Sequence, residues 1–305
     1  MGDGATRSAS AVRCRLPPPP LRRYPTCTQD CILPPCAATA RLHTAAHCSP
    51  TTDRIRKEDT PVPRARATAV DLLAIAAHPD DAELTCGGTL AKAARHGYRV
   101  AILDLVAGES GTSGSAELRL KEAERAAAAL GVHARGNAGL RDAHLHNTDD
   151  TRRIVVEWIR HYRPRTVILP FPVGRHPDHR LASELARDAC YLAGLARYDA
   201  NGRAYRPHKL LYALAYREDP VKPTFVVDIS STFAAKMKAI HCYESQFEGA
   251  RQAGEIFPTG QHLYELVETQ SAHYGSLIRA RYGEPYFTQE TVEVEDVVGL
   301  SVQSM

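Results

Sequence analysis

The stretch Val70-Asp71-Leu72-Leu73-Ala74-Ile75-Ala76-Ala77-His78-Pro79-Asp80-Asp81-Ala82-Glu83-Leu84 changes character halfway along. An apolar run of strand length, Val70 to Ala77, ends in three ionisable groups within four residues, and a helical pattern then runs from Leu84 to His96 until Gly97 stops it. A second apolar run, Val100 to Val106, completes a strand, helix, strand unit. Short apolar strands alternating with helices belong to a mainly parallel sheet covered on both faces.

The pattern continues outward. A Gly/Ser loop over 107–115 leads to an Ala-rich amphipathic helix, Glu117 to Leu130, closed by Gly131. Arg152 to Tyr162 reads as a helix ended by Pro164, and Thr166 to Phe171 as a strand. Leu210 to Tyr216 and Phe225 to Ile229 add strands, and Phe233 to Tyr243 and Leu263 to Arg281 add helices. No internal repeat is seen. In such sheets ligands sit beyond the carboxyl ends of the strands.

Two unusual clusters fall at those ends. The first is His78-Pro79-Asp80-Asp81, with Glu83 just beyond; the second is Arg175-His176-Pro177-Asp178-His179, after the strand ending near Phe171 and before a helix over Arg180 to Leu192. Like charges crowded at a partly desolvated sheet rim need a compensating cation or a task. A divalent metal supplies the compensation, and a catalytic zinc site takes three protein ligands and leaves a fourth position for water. His78, Asp80, Asp81, His176, Asp178 and His179 offer six candidates, so those not on a metal are free for acid and base work. Water acidified by a metal, a carboxylate to take its proton and a His to protonate a leaving amine together hydrolyse an amide. A single His-Pro-Asp is equally a turn with a satisfied side chain; two, both at strand ends, are not so easily accounted for that way.

Other features exclude more than they establish. The chain has 305 residues, 44% hydrophobic and 24% charged, the balance of a folded globular protein. No apolar run approaches the length of a membrane span, so no membrane partner is expected. The net charge of +3 is uneven: residues 1–68 carry eleven Lys/Arg against five Asp/Glu, and residues 69–305 carry 27 against 30. That mildly acidic remainder gives no footprint for nucleic acid. Loop 108–115 holds neither a dinucleotide fingerprint nor a P-loop, and reads either as the wall of a polar pocket or as a flexible connection. Arg119 reads either as a group reaching the substrate or as a solvated helix residue. No GxSxG elbow or Cys–His motif points to a nucleophilic hydrolase.

Residues 1–68 differ from the rest, with the run Pro17 to Pro20, five of the eight Cys and no hydrophobic period. They are expected to be disordered; the alternatives are an organelle transit peptide and leader sequence ahead of a true start near Val62 or Val70. The expected organisation is therefore a disordered extension, 1–68, and one α/β domain, 69–305.

His78-Pro79-Asp80-Asp81-Ala82-Glu83-Leu84, followed by Cys86-Gly87-Gly88-Thr89-Leu90-Ala91-Lys92, together with Arg175 to His179, resembles the PIG-L/LmbE family of metal-dependent N-deacetylases, from about Val70 to Phe287. Within it, Glu117-Leu118-Arg119, Phe225 to Ser230 and Tyr243-Glu244-Ser245-Gln246-Phe247 look most like the bacillithiol-pathway branch, which removes acetate from N-acetylglucosaminyl-malate. The resemblance implies a Rossmann-like sheet binding no dinucleotide, and a hydrolase of a linear amide. It implies His78, Asp81 and His179 as ligands of Zn²⁺, with Fe²⁺ the alternative, and Asp80 as general base. His176 would stabilise the oxyanion or protonate the leaving amine, Asp178 would orient it, Arg175 would add positive charge and Arg119 would bind the malate carboxylates. It also implies a small-molecule amino-sugar substrate, a cytoplasmic location and a homo-oligomer. Rival expectations are a deacetylase of another amino-sugar such as chitobiose, a thiol-conjugate amidase, and a catalytically idle metal- or small-molecule-binding module.

Overall fold

The structure, a computed structural model, describes residues 68–111, 113–214, 221–248 and 262–302. The chain divides into two units, residues 1–51 and 52–305, and all the described residues lie in the second. The disorder expected for residues 1–68 falls, Thr68 apart, outside them.

The elements in chain order are β1 (Leu72–Ala76), α1 (Asp81–Arg95), β2 (Val100–Val106), α2 (Ala116–Leu130), β3 (Ala134–Leu140), α3 (Asp149–Tyr162), β4 (Thr166–Pro170), α4 (Pro177–Ala193), β5 (Lys209–Ala213), β6 (Phe225–Asp228), α5 (Phe233–Ile240), α6 (Glu244–Phe247), α7 (Leu263–Ser276) and β7 (Gly283–Phe287). The sheet runs β3-β2-β1-β4-β5-β7-β6, parallel from β3 to β5, with β7 antiparallel to both neighbours. This is the α/β fold expected, a mainly parallel sheet between helices. Leu73, Ile75, Leu103 and Leu169 face Ile159 of α3 and Leu185 of α4, while Leu72, Ala74, Ile102 and Ile168 face Leu90 of α1, Ala126 of α2 and Ala239 of α5.

The two strands hardest to read are β3 and β7. β3 is Ala-Arg-Gly-Asn-Ala-Gly-Leu, an edge strand with no apolar run. Its Gly136 is required by packing, because a Cβ there would lie 2.6 Å from the Trp158 ring of α3. β7 carries a buried charge, Glu284, in a short segment containing Pro285. Both motif helices begin earlier than periodicity indicates. α1 starts at Asp81 rather than Leu84, and α4 at Pro177 rather than Arg180, with Pro in the first helical position, where its missing N–H costs nothing. The last helix stops at Ser276, short of Arg281, and α5 stops at Ile240 with the short α6 following.

Glu284 pins α1 in place. Its carboxylate accepts from the Gly88 amide at 2.9 Å, the Thr89 amide at 2.7 Å and Lys236 Nζ of α5 at 2.7 Å. Lys236 also donates to the Leu84 carbonyl at 2.9 Å, and both charged groups are almost fully buried. Removing one member of such a pair leaves an uncompensated charge in the interior. Lys236→Met should therefore destabilise the fold by about 3–5 kcal/mol, measured by urea unfolding; a loss under about 1 kcal/mol would show that the pair does not anchor α1.

Candidate active site

β1 and β4 are adjacent, yet the chain leaves β1 toward β2 on one side and reaches β4 on the other, so strand order reverses between them. A crevice opens at such a point beyond the carboxyl ends. The turn after β1 carries His78 to Asp81 and the turn after β4 carries Arg175 to His179, so topology alone brings together clusters about a hundred residues apart.

Asp81, first residue of α1, accepts the backbone N–H of His78 at 2.9 Å on Oδ2, which also lies 3.3 Å from His78 Nδ1. Its other oxygen is 3.2 Å from His179 Nε2. On the far side of the His78 ring, Nε2 is 3.2 Å from Asp142 Oδ1 and 3.4 Å from Asp178 Oδ2. Burial alone would lower the pKa of this imidazole, but hydrogen bonds to Asp142, Asp178 and Asp81 outweigh it and push it up to about 12. Burial likewise disfavours the Asp81 carboxylate, and the facing His179 and His78 rings reverse that, holding it well below the usual range. His179 is raised, the attraction of Asp81 exceeding the cost of burial.

Asp80 has the backbone of a strained residue, φ 116°, where side chains other than glycine rarely sit. It occupies the N-cap of α1, yet its carboxylate makes no cap hydrogen bond. The carboxylate instead meets Arg119 Nη2 at 3.0 Å. Burial pushes its pKa up, Arg119 pulls it back and Asp81 adds to the rise, leaving it at about 7. A carboxyl poised there suits a general base at neutral pH.

Two of the expected site residues have contacts the sequence does not display. Arg119 is buried, with Nη2 also donating to the Pro79 carbonyl at 2.9 Å and Nη1 to the Gly108 carbonyl at 3.4 Å. The α2 register points it under the His78 turn, where it balances Asp80. Asp178 is the residue expected to orient His176. As the second residue of α4 it turns inward, toward His78 Nε2 and the Ala143 amide, 3.0 Å away. The backbone N–H of Asp178 does the orienting, donating to His176 Nδ1 at 3.2 Å. With Nδ1 an acceptor, the neutral His176 ring carries its proton on Nε2. Burial and the neighbouring His179 and His78 rings lower the His176 pKa, which favours that neutral form. The three rings lie close, with centroids 4.7–5.4 Å apart. Arg175 lies at the exposed rim beside His176 and His179.

Sequence reasoning misses Asp142. Nothing in Arg141-Asp142 forms a motif, but the residue sits two positions beyond β3, on the same rim as both clusters, and that is the signal that would find it. The Gly/Ser loop holds it: Ser110 N–H donates to Asp142 Oδ2 at 2.9 Å, and Glu109 accepts the Asp142 amide at 2.8 Å. Behind the site, Arg135 of β3 bridges Glu83 and Asp104, and Tyr243 donates to Glu83 at 3.2 Å.

The donor atoms of His78, Asp81 and His179 lie within 4.8 Å of one another. Two imidazoles and a carboxylate facing one point are the donor set of a borderline divalent ion such as zinc, with room for a further ligand. The fit extends outward, since a ligating His normally gives its other N–H to a carboxylate, as His78 does to Asp142 and Asp178. His78, His176 and Asp178 form a second group within the same span, sharing His78.

The sequence pattern of PIG-L, described as GlcNAc-PI de-N-acetylase, matches residues 73–190. A diacetylchitobiose deacetylase of Thermococcus kodakarensis is 32% identical over 229 residues, covering 70% of this chain and 80% of that protein. The chain belongs to the PIG-L family. A 1D-myo-inositol 2-acetamido-2-deoxy-alpha-D-glucopyranoside deacetylase of Rhodococcus erythropolis is 30% identical over 185 residues, 50% of this chain and 63% of that protein. Among solved structures, the conserved protein TT1542 from Thermus thermophilus superposes with a TM-score of 0.67 at 36% identity, over 74% of this chain and 97% of that one. As a PIG-L protein the chain is an N-deacetylase, a hydrolase of a carbon–nitrogen bond, and PIG-L deacetylases are metal-dependent. Among the described residues no helix is long and apolar enough to cross a membrane.

If Asp142 holds His78 in register for this PIG-L site, Asp142→Asn should weaken zinc binding by about 10–100-fold in competition with a chromophoric chelator. Unchanged affinity would leave Asp142 a purely structural residue.

Proposed function

We propose that the protein hydrolyses the N-acetyl group of an N-acetylglucosamine glycoside, releasing acetate and the free amine. The observation that carries this reading is Asp80, a strained and buried carboxylate with a pKa near neutrality, set beside the His78, Asp81 and His179 donors. Zn²⁺ held by those three, or Fe²⁺ in its place, would polarise the amide carbonyl and acidify water. Asp80 accepts the proton of the attacking water, and Arg119 keeps its carboxylate aimed at the crevice. His176, its Nδ1 fixed by the Asp178 amide, presents Nε2–H to the amide oxygen as negative charge develops there. The proton taken by Asp80 goes on to the leaving nitrogen, and Arg175 adds positive charge at the rim.

For the aglycone, N-acetylglucosaminyl-malate is retained and set against N,N'-diacetylchitobiose, the substrate in the name of the Thermococcus relative. The engagement of Arg119 with Asp80 removes the anchor that favoured malate and supports chitobiose; a malate carboxylate would fall to Arg175. Protein purified without chelator, assayed for acetate release from both compounds with metal content measured on the same sample, should cleave chitobiose with the higher kcat/KM and lose both activities on chelation. Preference for the malate glycoside would reverse the aglycone assignment, and an inert metal-loaded protein would overturn the reading as a whole.

The residue roles are separable. Asp80→Ala should keep its metal and lose roughly 10²–10⁴-fold in turnover, the worth of a general base, whereas Asp81→Ala should lose metal and activity together. Near-native turnover in Asp80→Ala would remove it from the mechanism.

A further inference from the structure

A groove of about 1220 Å³ runs between α4, the start of β5 and the chain beyond β7. Lys209 opens β5, so the groove lies toward the amino ends of the strands, away from the proposed site at their carboxyl ends. One wall includes Tyr191, Arg206 and Lys209; the other includes Val292, Val294 and Leu300 of the C-terminal segment. All six side chains are exposed, so the groove is open to solvent along both walls. The sheet is open there too. β5 meets β7 only at Tyr212 and Ala213, and among the described residues no strand lies beside residues 209–211 on that side.

The two walls carry opposite charge. Beyond Phe287 the chain has no Lys or Arg and four acids, Glu290, Glu293, Glu295 and Asp296. On the facing wall the Arg206 guanidinium stacks over the Tyr191 ring at 4.4 Å and donates to the Tyr191 carbonyl at 3.1 Å. Neither Arg206 nor Lys209 meets a carboxylate among the described residues, whereas Arg187 nearby is shared with Asp188 at 3.4 Å. The C-terminal segment is also shaped. Asp296 accepts the amides of Val298 and Gly299 at 2.7 and 2.8 Å, a tight turn that joins the two arms walling the groove. Val297 and Val298 stand at its tip, 84% and 93% exposed. Because its arms bound the groove, this tip does not also fill it, and neighbouring bare valines mark a surface made to be covered.

We propose that the turn at residues 295–298 of one copy seats in the groove of a second copy, and that the second copy's turn seats in the groove of the first. Glu295 and Asp296 then meet the cations at Arg206 and Lys209, while Val297 and Val298 cover the Tyr191 ring and the aliphatic wall. An extended segment laid beside residues 209–211 also takes up the open backbone edge of β5. The occupant is a second copy because this chain carries both halves of the contact, a basic groove and an acidic, aliphatic tip. Exchange between two copies satisfies both at once and closes as a two-fold pair. The inference concerns the opposite end of the sheet from the proposed chemistry and stands whether or not that reading holds.

The test is the mass of the full-length chain in solution, read by light scattering on a sizing column, with a charge swap. The unaltered chain is expected at the mass of two copies or a larger even number. A groove variant, Arg206→Glu with Lys209→Glu, and a tip variant, Glu295→Lys with Asp296→Asn, should each raise the dissociation constant roughly a hundredfold, like charges then facing each other across the interface, and run at half that mass. The Asn keeps an oxygen for the turn. Mixing the two variants should restore the paired mass, since each then offers the charge the other needs. Val297→Ser with Val298→Ser, both at exposed positions, should also lower the mass and serves if either charge variant does not fold. A monomeric unaltered chain, or a mass that none of these substitutions changes, overturns the proposal. So does a loss of pairing in both charge variants that mixing leaves unrestored, because a tip acting only within its own chain gives that result.

Discussion

One imidazole carries the charge balance on which the site depends. His78 faces Asp81 through one nitrogen and Asp142 and Asp178 through the other, so three carboxylates from three parts of the chain converge on a nearly buried ring. Left alone, those carboxylates would repel one another and resist burial. The ring separates them into two sets. Asp142 and Asp178 take its Nε2–H and face the interior, while Asp81 shares the opposite side with His179 and is left pointing at the crevice. A proton on Nδ1 balances the second side in the bare protein; His78, Asp81 and His179 would together hold a divalent cation there.

That arrangement depends on where the sheet puts its strand ends. Because β1 and β4 are neighbours, the helices that follow them begin side by side, and Asp81 and Asp178 are in the first turn of each. Carboxylates there are favoured by the helix dipole, which offsets part of the cost of assembling them. The proposed base is treated differently. Asp80 gives up the cap hydrogen bond its position offers and accepts an unfavourable backbone, and the Arg119 pair is what it receives in exchange. The helix that follows the turn is held by Glu284 and Lys236, and against β3 by Glu83, Arg135 and Asp104. Strain at Asp80 is sustainable only because the surrounding contacts fix the turn so fully.

What could be read without the structure follows from this physics. The apolar runs of β1, β2 and β4 are legible because parallel strands buried on both faces are continuously hydrophobic. The two clusters stand out because charge at a strand end is costly. β3 is silent because an edge strand with an Arg and two Gly has no hydrophobic period, and Asp142 is silent with it. The direction of a side chain is the other thing hidden. Asp178 and Arg119 are visible as residues, but helix register and turn geometry, which one sequence does not display, decide that one faces His78 and the other Asp80. Hydrogen-bond partners between segments distant along the chain are set by packing, so residue identity is legible where residue role is not.

The engagement of Arg119 bears on specificity as well as on catalysis. A guanidinium whose Nη atoms already meet Asp80, Pro79 and Gly108 could turn to a substrate carboxylate only by leaving the buried Asp80 carboxylate unbalanced. Recognition of the glycoside must then come from groups nearer the surface, where water competes and selectivity per contact is lower.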